Sequence, residues 1–203
     1  MLIDGHIIDE TILNEGDWIL DAGCRHFVLE KELNKYNFVC LDPDIHIIPY
    51  QYPFAGYYNS LYRINFEHKA LMSYSGKAKY CGWSTGEGNI IYQENAPDYA
   101  TEKYEVDCVS IRHIMDKYNI NQFSLAKIDI EGSEYDLLLS IDSPFTKQIA
   151  IEFHQSLGYN KYGSHDDYIN KLMSSPFGEI YKIGDHYEYD HCKGLYEYQF
   201  ILI

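Results

Sequence analysis

Several charged residues stand where charge is expensive. In "LAKIDIEGSEYDLLLSI", Leu125–Ile141, the residues Lys127, Asp129 and Glu131 occupy alternate positions of an otherwise apolar run. Alternate residues of an extended chain share a face, so these three line one side of a buried strand. Buried charge is tolerated when it is paired, liganded or exposed at one end of its element. "IAIEFH" repeats the arrangement with Glu152 and His154. Asp21 closes the apolar run of "DWILDAG", and Asp42 closes "NFVCLDPD". Carboxylates and an imidazole that meet in one cleft can take a proton from a hydroxyl, or hold a divalent cation that lowers the hydroxyl's pKa.

The elements that position these residues alternate in type. Strands are predicted at Trp18–Leu20, at "NFVCL", in "FEHKALMSY" with a turn at Ser75-Gly76 into a hairpin, at the run ending near Val109, at "LAKIDI", at "KQIAIEFH", and at "GEIYKI" and "YEYQFILI". Helices are predicted through Leu29, Leu33 and Tyr36; after Ser110 as N-cap through Ile111, Ile114, Met115 and Tyr118; over Ser133–Ile141 with "SEYD" as a capping box; and through Tyr168, Ile169, Leu172 and Met173. This order predicts one α/β domain over residues 1–203 with a mainly parallel sheet, its last two strands pairing antiparallel because no helix separates them. In such a sheet ligands bind beyond the carboxyl ends of the strands, where Asp21, Asp42, Asp129, Glu131 and Glu152 all fall. Residues 43–63 and 82–103 read as loops on the rim of that cleft.

Composition narrows the partners. With 31 acidic against 16 basic residues the net charge is −15, which opposes nucleic acid or an anionic membrane surface as partner. The five cysteines are scattered, and no basic, apolar leader opens the sequence. A soluble cytoplasmic protein acting on a small molecule or glycan is expected.

"LDAG" with Asp42 about 20 residues on has the arrangement of a nucleoside site, glycine allowing close approach and the second acid taking ribose hydroxyls. "DAGCRHF" lacks the further glycines that wrap a pyrophosphate. A phosphate-free nucleoside such as S-adenosylmethionine fits better than a dinucleotide.

"KIDIEGSEYDLL" resembles the K-[IV]-D-[IV]-E-G-x-E-x-x-[VL]-L signature of the FkbM family of S-adenosylmethionine-dependent methyltransferases. The resemblance implies the class I Rossmann-like fold, a mostly parallel seven-stranded sheet with an antiparallel last strand and helices on both faces. "WILDAGC", "HKALMSYSGKAKY", "VDCVSIRHIMDKYNI" and "IAIEFH" resemble flanking segments in the same order. The resemblance implies that Asp21 and Gly23 hold the methionine portion of the cofactor, that Asp42 binds the ribose, and that Ser73 lies near the adenine. It implies that Asp129 and Glu131 face the methyl group and the acceptor hydroxyl, with Glu152 and His154 beside them. Asp129, Glu131 or His154 would then serve as base, while Asp129, Glu152 and His154 are the candidate ligands of a metal, Mg²⁺ rather than Zn²⁺ given their oxygens. The expected activity is O-methylation of a small polar acceptor, most plausibly a sugar. Two rivals stand beside it: a glycan- or partner-binding protein that keeps the fold without the activity, and another nucleotide-dependent Rossmann-like enzyme.

Overall fold

The computed structural model describes residues 1–44, 63–82, 90–91, 102–154, 163–190 and 194–203. Strands β1 (Leu2–Ile3) and β2 (His6–Ile7) form a hairpin, followed by a single 3-10 turn at Glu10–Ile12. Then come β3 (Trp18–Ala22), α1 (Val28–Glu32), β4 (Asn37–Leu41), β5 (Ile64–Glu67), β6 (Ala70–Leu71), β7 (Gly76–Gly82), β8 (Ile90–Ile91) and β9 (Glu102–Val109). The chain continues through α2 (Ile111–Tyr118), β10 (Phe123–Ile128), α3 (Glu134–Leu139), β11 (Thr146–His154), α4 (His165–Met173), α5 (Pro176–Ile180), β12 (Tyr181–Glu188) and β13 (Leu195–Leu202).

Seven strands form the central sheet in the order β12-β13-β11-β10-β3-β4-β5. The pairs from β11 to β5 are parallel, and β13 runs antiparallel to both β11 and β12. The expected fold class, antiparallel last strand included, is the one observed. A second sheet, β6-β9-β7-β8, takes the strand that ends at Val109, so this strand adds to a side layer and not to the central one.

The two faces of the central sheet differ in chemistry. On one, Leu20, Val39, Ala126, Ile128, Ile149 and Ile151 meet the apolar stripes of α2, α3 and α4. Each fully buried aliphatic side chain there contributes about 1.5–3 kcal/mol of transfer free energy. On the other, Ile19, Phe38, Cys40, Leu125 and Ala150 pack against Leu29 and Leu33 and against Ile3 and Ile8 from the amino-terminal segment. The register on this second face puts Asp21 opposite Lys127 and Glu152 opposite Glu197. A polar band therefore crosses the sheet beneath the hairpin. That band resolves the alternating charges of β10: their face is covered by a polar hairpin and a hollow, not by an apolar helix.

Helix starts follow their caps in part. Ser110 accepts from the His113 N–H as expected, whereas Ser133 makes no capping bond. A capping box forms instead at Ser164 with Asp167. The segment read as the start of the strand "GEIYKI" belongs to α5, which Ser175 caps and Pro176 opens. The helix expected through Leu29 to Tyr36 is shorter, ending at Glu32. Of the expected rim loops, residues 45–62, 83–89 and 92–101 lie outside the described residues, and Ile90–Ile91 is strand β8. Among the described residues no helix is long and apolar enough to cross a membrane.

Candidate active site

The carboxyl ends of β3, β4 and β10 open into one hollow of about 330 Å³, lined among others by Asp21, Gly23, Asp42, Asp129 and Glu131. That is the size class of small-ligand sites, about 300–1,000 Å³. Ala70, Leu71 and Tyr80 of the second sheet close one side, and Ile3, Asp4 and His6 of the hairpin close another.

Lys127 organises the floor. It is 5% exposed, and its ammonium donates to the Gly23 carbonyl at 2.8 Å and the Ala22 carbonyl at 3.4 Å. Asp21 Oδ1 stands 3.4 Å away and Asp129 Oδ2 3.5 Å away. Burial alone would favour the neutral amine, but Asp21 and Asp129 outweigh it and keep Lys127 charged. The signature lysine is thus a clamp that joins the turn after β3 to the end of β10. Gly23 (φ +80°) serves the same junction, because a Cβ there would lie 1.9 Å from the Asp129 carbonyl oxygen. What its missing side chain clears is backbone.

Asp21 is 2% exposed, and its Oδ1 accepts no hydrogen bond among the described residues. Burial raises its pKa against the pull of Lys127. Buried Glu30 of α1 adjoins it, raised well above the ordinary value by burial and by the Asp21 charge, and accepts from Cys40 Sγ at 2.8 Å. At the other end of the hollow Asp42 accepts the Asp44 N–H at 2.9 Å. Burial pushes its pKa up to about 7.

β10 ends in a turn with Glu131 at φ 54° and Gly132 at φ 97°. Glu131 is pushed up to about 7 by burial, against the attraction of His154. His154 sits among carboxylates: Nδ1 is 3.1 Å from Glu134, and Nε2 is 3.0 Å from Glu152, 3.4 Å from Glu131 and 3.7 Å from Asp129. Burial disfavours its charge, but Glu134, Glu152 and Asp129 outweigh burial and hold the imidazole protonated well above its ordinary pKa. His154 returns the effect, bringing Glu152 below its usual value despite burial.

The sequence-predicted residues are therefore distributed as follows. Asp21, Gly23, Asp42, Asp129 and Glu131 share the hollow; Glu152 and His154 stand behind Asp129 and Glu131; Ser73 is exposed after β6 and does not line the hollow. Two residues escaped sequence reasoning. Glu134, fully buried, accepts the Ile130 N–H at 3.0 Å and holds His154 Nδ1, so it ties the end of β10 to β11. Its signal was its place in "EGSE", obscured by reading "SEYD" as a cap. His6 arrives with the hairpin, whose signal was the Asp4-Gly5 turn between apolar residues.

A parallel sheet with a reversed last strand and acids at the tips of its first, second and fourth strands defines a class I methyltransferase-like α/β domain. The Methyltransferase FkbM domain matches residues 21–179. The chain belongs to this family and is an S-adenosylmethionine-dependent methyltransferase. Among solved structures, the fibrillarin pre-rRNA processing protein of Methanococcus jannaschii aligns with TM-score 0.54 at 10% identity, over 98% of this chain and 70% of that one. A Clostridium thermocellum protein assigned as an rRNA-methylase aligns with TM-score 0.52 at 10% identity, over 96% and 90%. At such identities the likeness is one of fold. No curated protein matches the sequence.

The residues present fit the cofactor. The hollow is large enough, Gly23 leaves its turn without a side chain, and Asp42 offers a buried carboxylate for hydroxyls.

Proposed function

We propose that the chain methylates a hydroxyl of a small polar acceptor, a sugar, with Asp129 as the base. The observation that carries this reading is that Asp21, Asp42 and Asp129, distant in sequence, line one hollow. S-adenosylmethionine supplies a methyl group already activated as a sulfonium. Asp42 binds ribose hydroxyls, while Asp21 and Gly23 receive the methionine portion. Asp129 is half-buried and anchored by Lys127, which leaves a carboxylate at the hollow to orient the acceptor hydroxyl and take its proton as the carbon–oxygen bond forms. Glu131 stands beside it. His154, protonated and surrounded, is a positioning cation that gathers the carboxylates and does not act as the base.

The net charge of −15 favours a small acceptor over RNA, the substrate class named for the structural neighbours. A second reading rests on one geometric fact: ligand atoms of Asp129, Glu152 and His154 lie within 4.8 Å of one another, with Nδ1 of His154 held from behind by Glu134. A divalent cation such as Mg²⁺ in place of the Nε2 proton would suit this set.

Calorimetry with S-adenosylhomocysteine and labelled methyl transfer to a panel of glycosides test both readings. Asp129→Asn is expected to lower turnover by about 10²–10⁴-fold with S-adenosylhomocysteine affinity retained. Wild-type turnover in EDTA persists on the first reading and disappears on the second. Retained activity in Asp129→Asn removes this residue from the chemistry.

A further inference from the structure

The β1–β2 hairpin supplies a wall of the hollow that the family signature does not include. His6 is 2% exposed and lines the hollow with Lys127 and Asp129. Its Nδ1 is 3.1 Å from Oε2 of Glu197, whose side chain has no exposure. Oε1 of the same carboxyl accepts the Ile7 N–H at 3.1 Å. The hairpin is fixed further by Tyr187, which donates to the Gly5 carbonyl at 2.5 Å, and by a paired exchange between Asp9 backbone and the Gln148 side-chain amide at 3.0 and 2.8 Å. The ring is therefore held from behind. Its Nε2 has no hydrogen-bond partner among the described residues. With Nδ1 taken by Glu197, Nε2 is the ring nitrogen left to meet a group entering the hollow that His6 lines.

We propose that His6, oriented by Glu197, donates from Nε2 to the carboxylate of the cofactor's methionine portion. The proposal rests on the cofactor reading above and adds a residue to it. That carboxylate is the single anion of the cofactor, and it must enter a hollow walled by Asp4, Asp21, Asp42, Asp44, Asp129 and Glu131. An anion there needs a directed donor, and Arg25 and Lys127 are the cationic side chains on the lining. Lys127 is already committed to Gly23, Ala22, Asp21 and Asp129. With the ribose at Asp42 and the methionine passing Asp21 and Gly23, the far wall beside Lys127 is where His6 stands.

The protonation of the pair agrees with a donor. Burial, helped by Lys127, pushes His6 down to about 3, so the imidazole is neutral. Burial pushes Glu197 up to about 9, so it keeps its proton and presents O–H to Nδ1. The imidazole hydrogen is then on Nε2.

The test compares two ligands by calorimetry. S-adenosylhomocysteine carries the aminocarboxylate, and 5′-methylthioadenosine lacks it. His6→Phe fills the ring's volume without a donor and is expected to weaken S-adenosylhomocysteine about tenfold or more, the scale of a lost hydrogen bond to a charged group, while 5′-methylthioadenosine stays within about twofold. The retained 5′-methylthioadenosine affinity also shows that the variant is folded. His6→Gln, which keeps an amide donor, is expected to recover part of the loss. Glu197→Gln donates its amide to Nδ1, keeps the proton on Nε2 and should preserve affinity; a tenfold loss there overturns the donor assignment. Unchanged S-adenosylhomocysteine affinity in His6→Phe, with Arg25 as the competing donor on the same hollow, overturns the proposal while leaving the cofactor reading intact. Wild-type protein that binds neither ligand overturns the cofactor reading itself.

Discussion

The two faces of the central sheet are built on opposite principles. Under α2, α3 and α4 the sheet is apolar, and Leu20, Leu138 and Leu172 have no exposure at all. Under the hairpin the same strands carry Asp21, Lys127, Gln148, Glu197 and Gln199, each buried and most of them bonded to one another or to backbone. The first face is held by packing, which is tolerant of detail. The second adds buried polar and charged pairs to its own apolar cluster, and removal of one member of a pair leaves the other stranded in a medium that cannot solvate it. The candidate site grows out of the second face, where Asp21 and Lys127 are already fixed in place.

The sharpest way to break this comparison is to remove one residue from each face. Lys127→Met is expected to cost about 3–5 kcal/mol at neutral pH, since it strands Asp21 and Asp129. Leu138→Ala is expected to cost a similar 2–5 kcal/mol through its cavity. Their pH dependence separates them. The Lys127→Met penalty should shrink as pH falls and the stranded carboxyls protonate, while the Leu138→Ala penalty stays flat; parallel curves in denaturant titrations would erase the distinction between the faces.

Asp42 sharpens the same contrast. Its folded pKa of about 7 lies above the ordinary 3.8, so the folded state binds the proton more tightly than the unfolded chain does. The associated stability is present below the ordinary value and lost as pH rises through about 7. Asp42→Asn should remove this decline, worth up to about 4 kcal/mol at pH 8, yet weaken S-adenosylhomocysteine binding by about 1–3 kcal/mol. Thermal unfolding across pH checks the first effect and calorimetry the second. The smallest effect is local: Ser164→Ala breaks the capping box of α4, remote from the hollow, and should cost about 1 kcal/mol with cofactor affinity unchanged.

Much of this was legible in sequence because periodicity and strand-end acids are local signals. The apolar runs of β3, β4, β10 and β11 and the reversed β13 announce themselves, and the acids that close β3, β4 and β10 line one hollow. What stayed hidden depended on tertiary partners. Lys127 reads as one half of an ion pair, but its bonds to the Gly23 and Ala22 carbonyls exist only once β3 and β10 are paired. Glu134 reads as a helix-start acid, and only the approach of β11 turns it toward His154. The strand ending at Val109 has the pattern of a central strand, yet pairing with β6 and β7 sends it to the side sheet. His6 was within reach, since Asp-Gly flanked by apolar residues is a strong hairpin signal, and both turn residues have the positive φ that such a turn demands.

The contact between Gly23 and the Asp129 carbonyl bears on how the protein is inactivated in the laboratory. Replacing the loop glycine is the customary way to make a cofactor-dead control. Here a methyl group at that position would push directly on the proposed catalytic aspartate. Loss of turnover in such a control would therefore say nothing about which ligand the loop holds, and weakened cofactor binding is better introduced at Asp42.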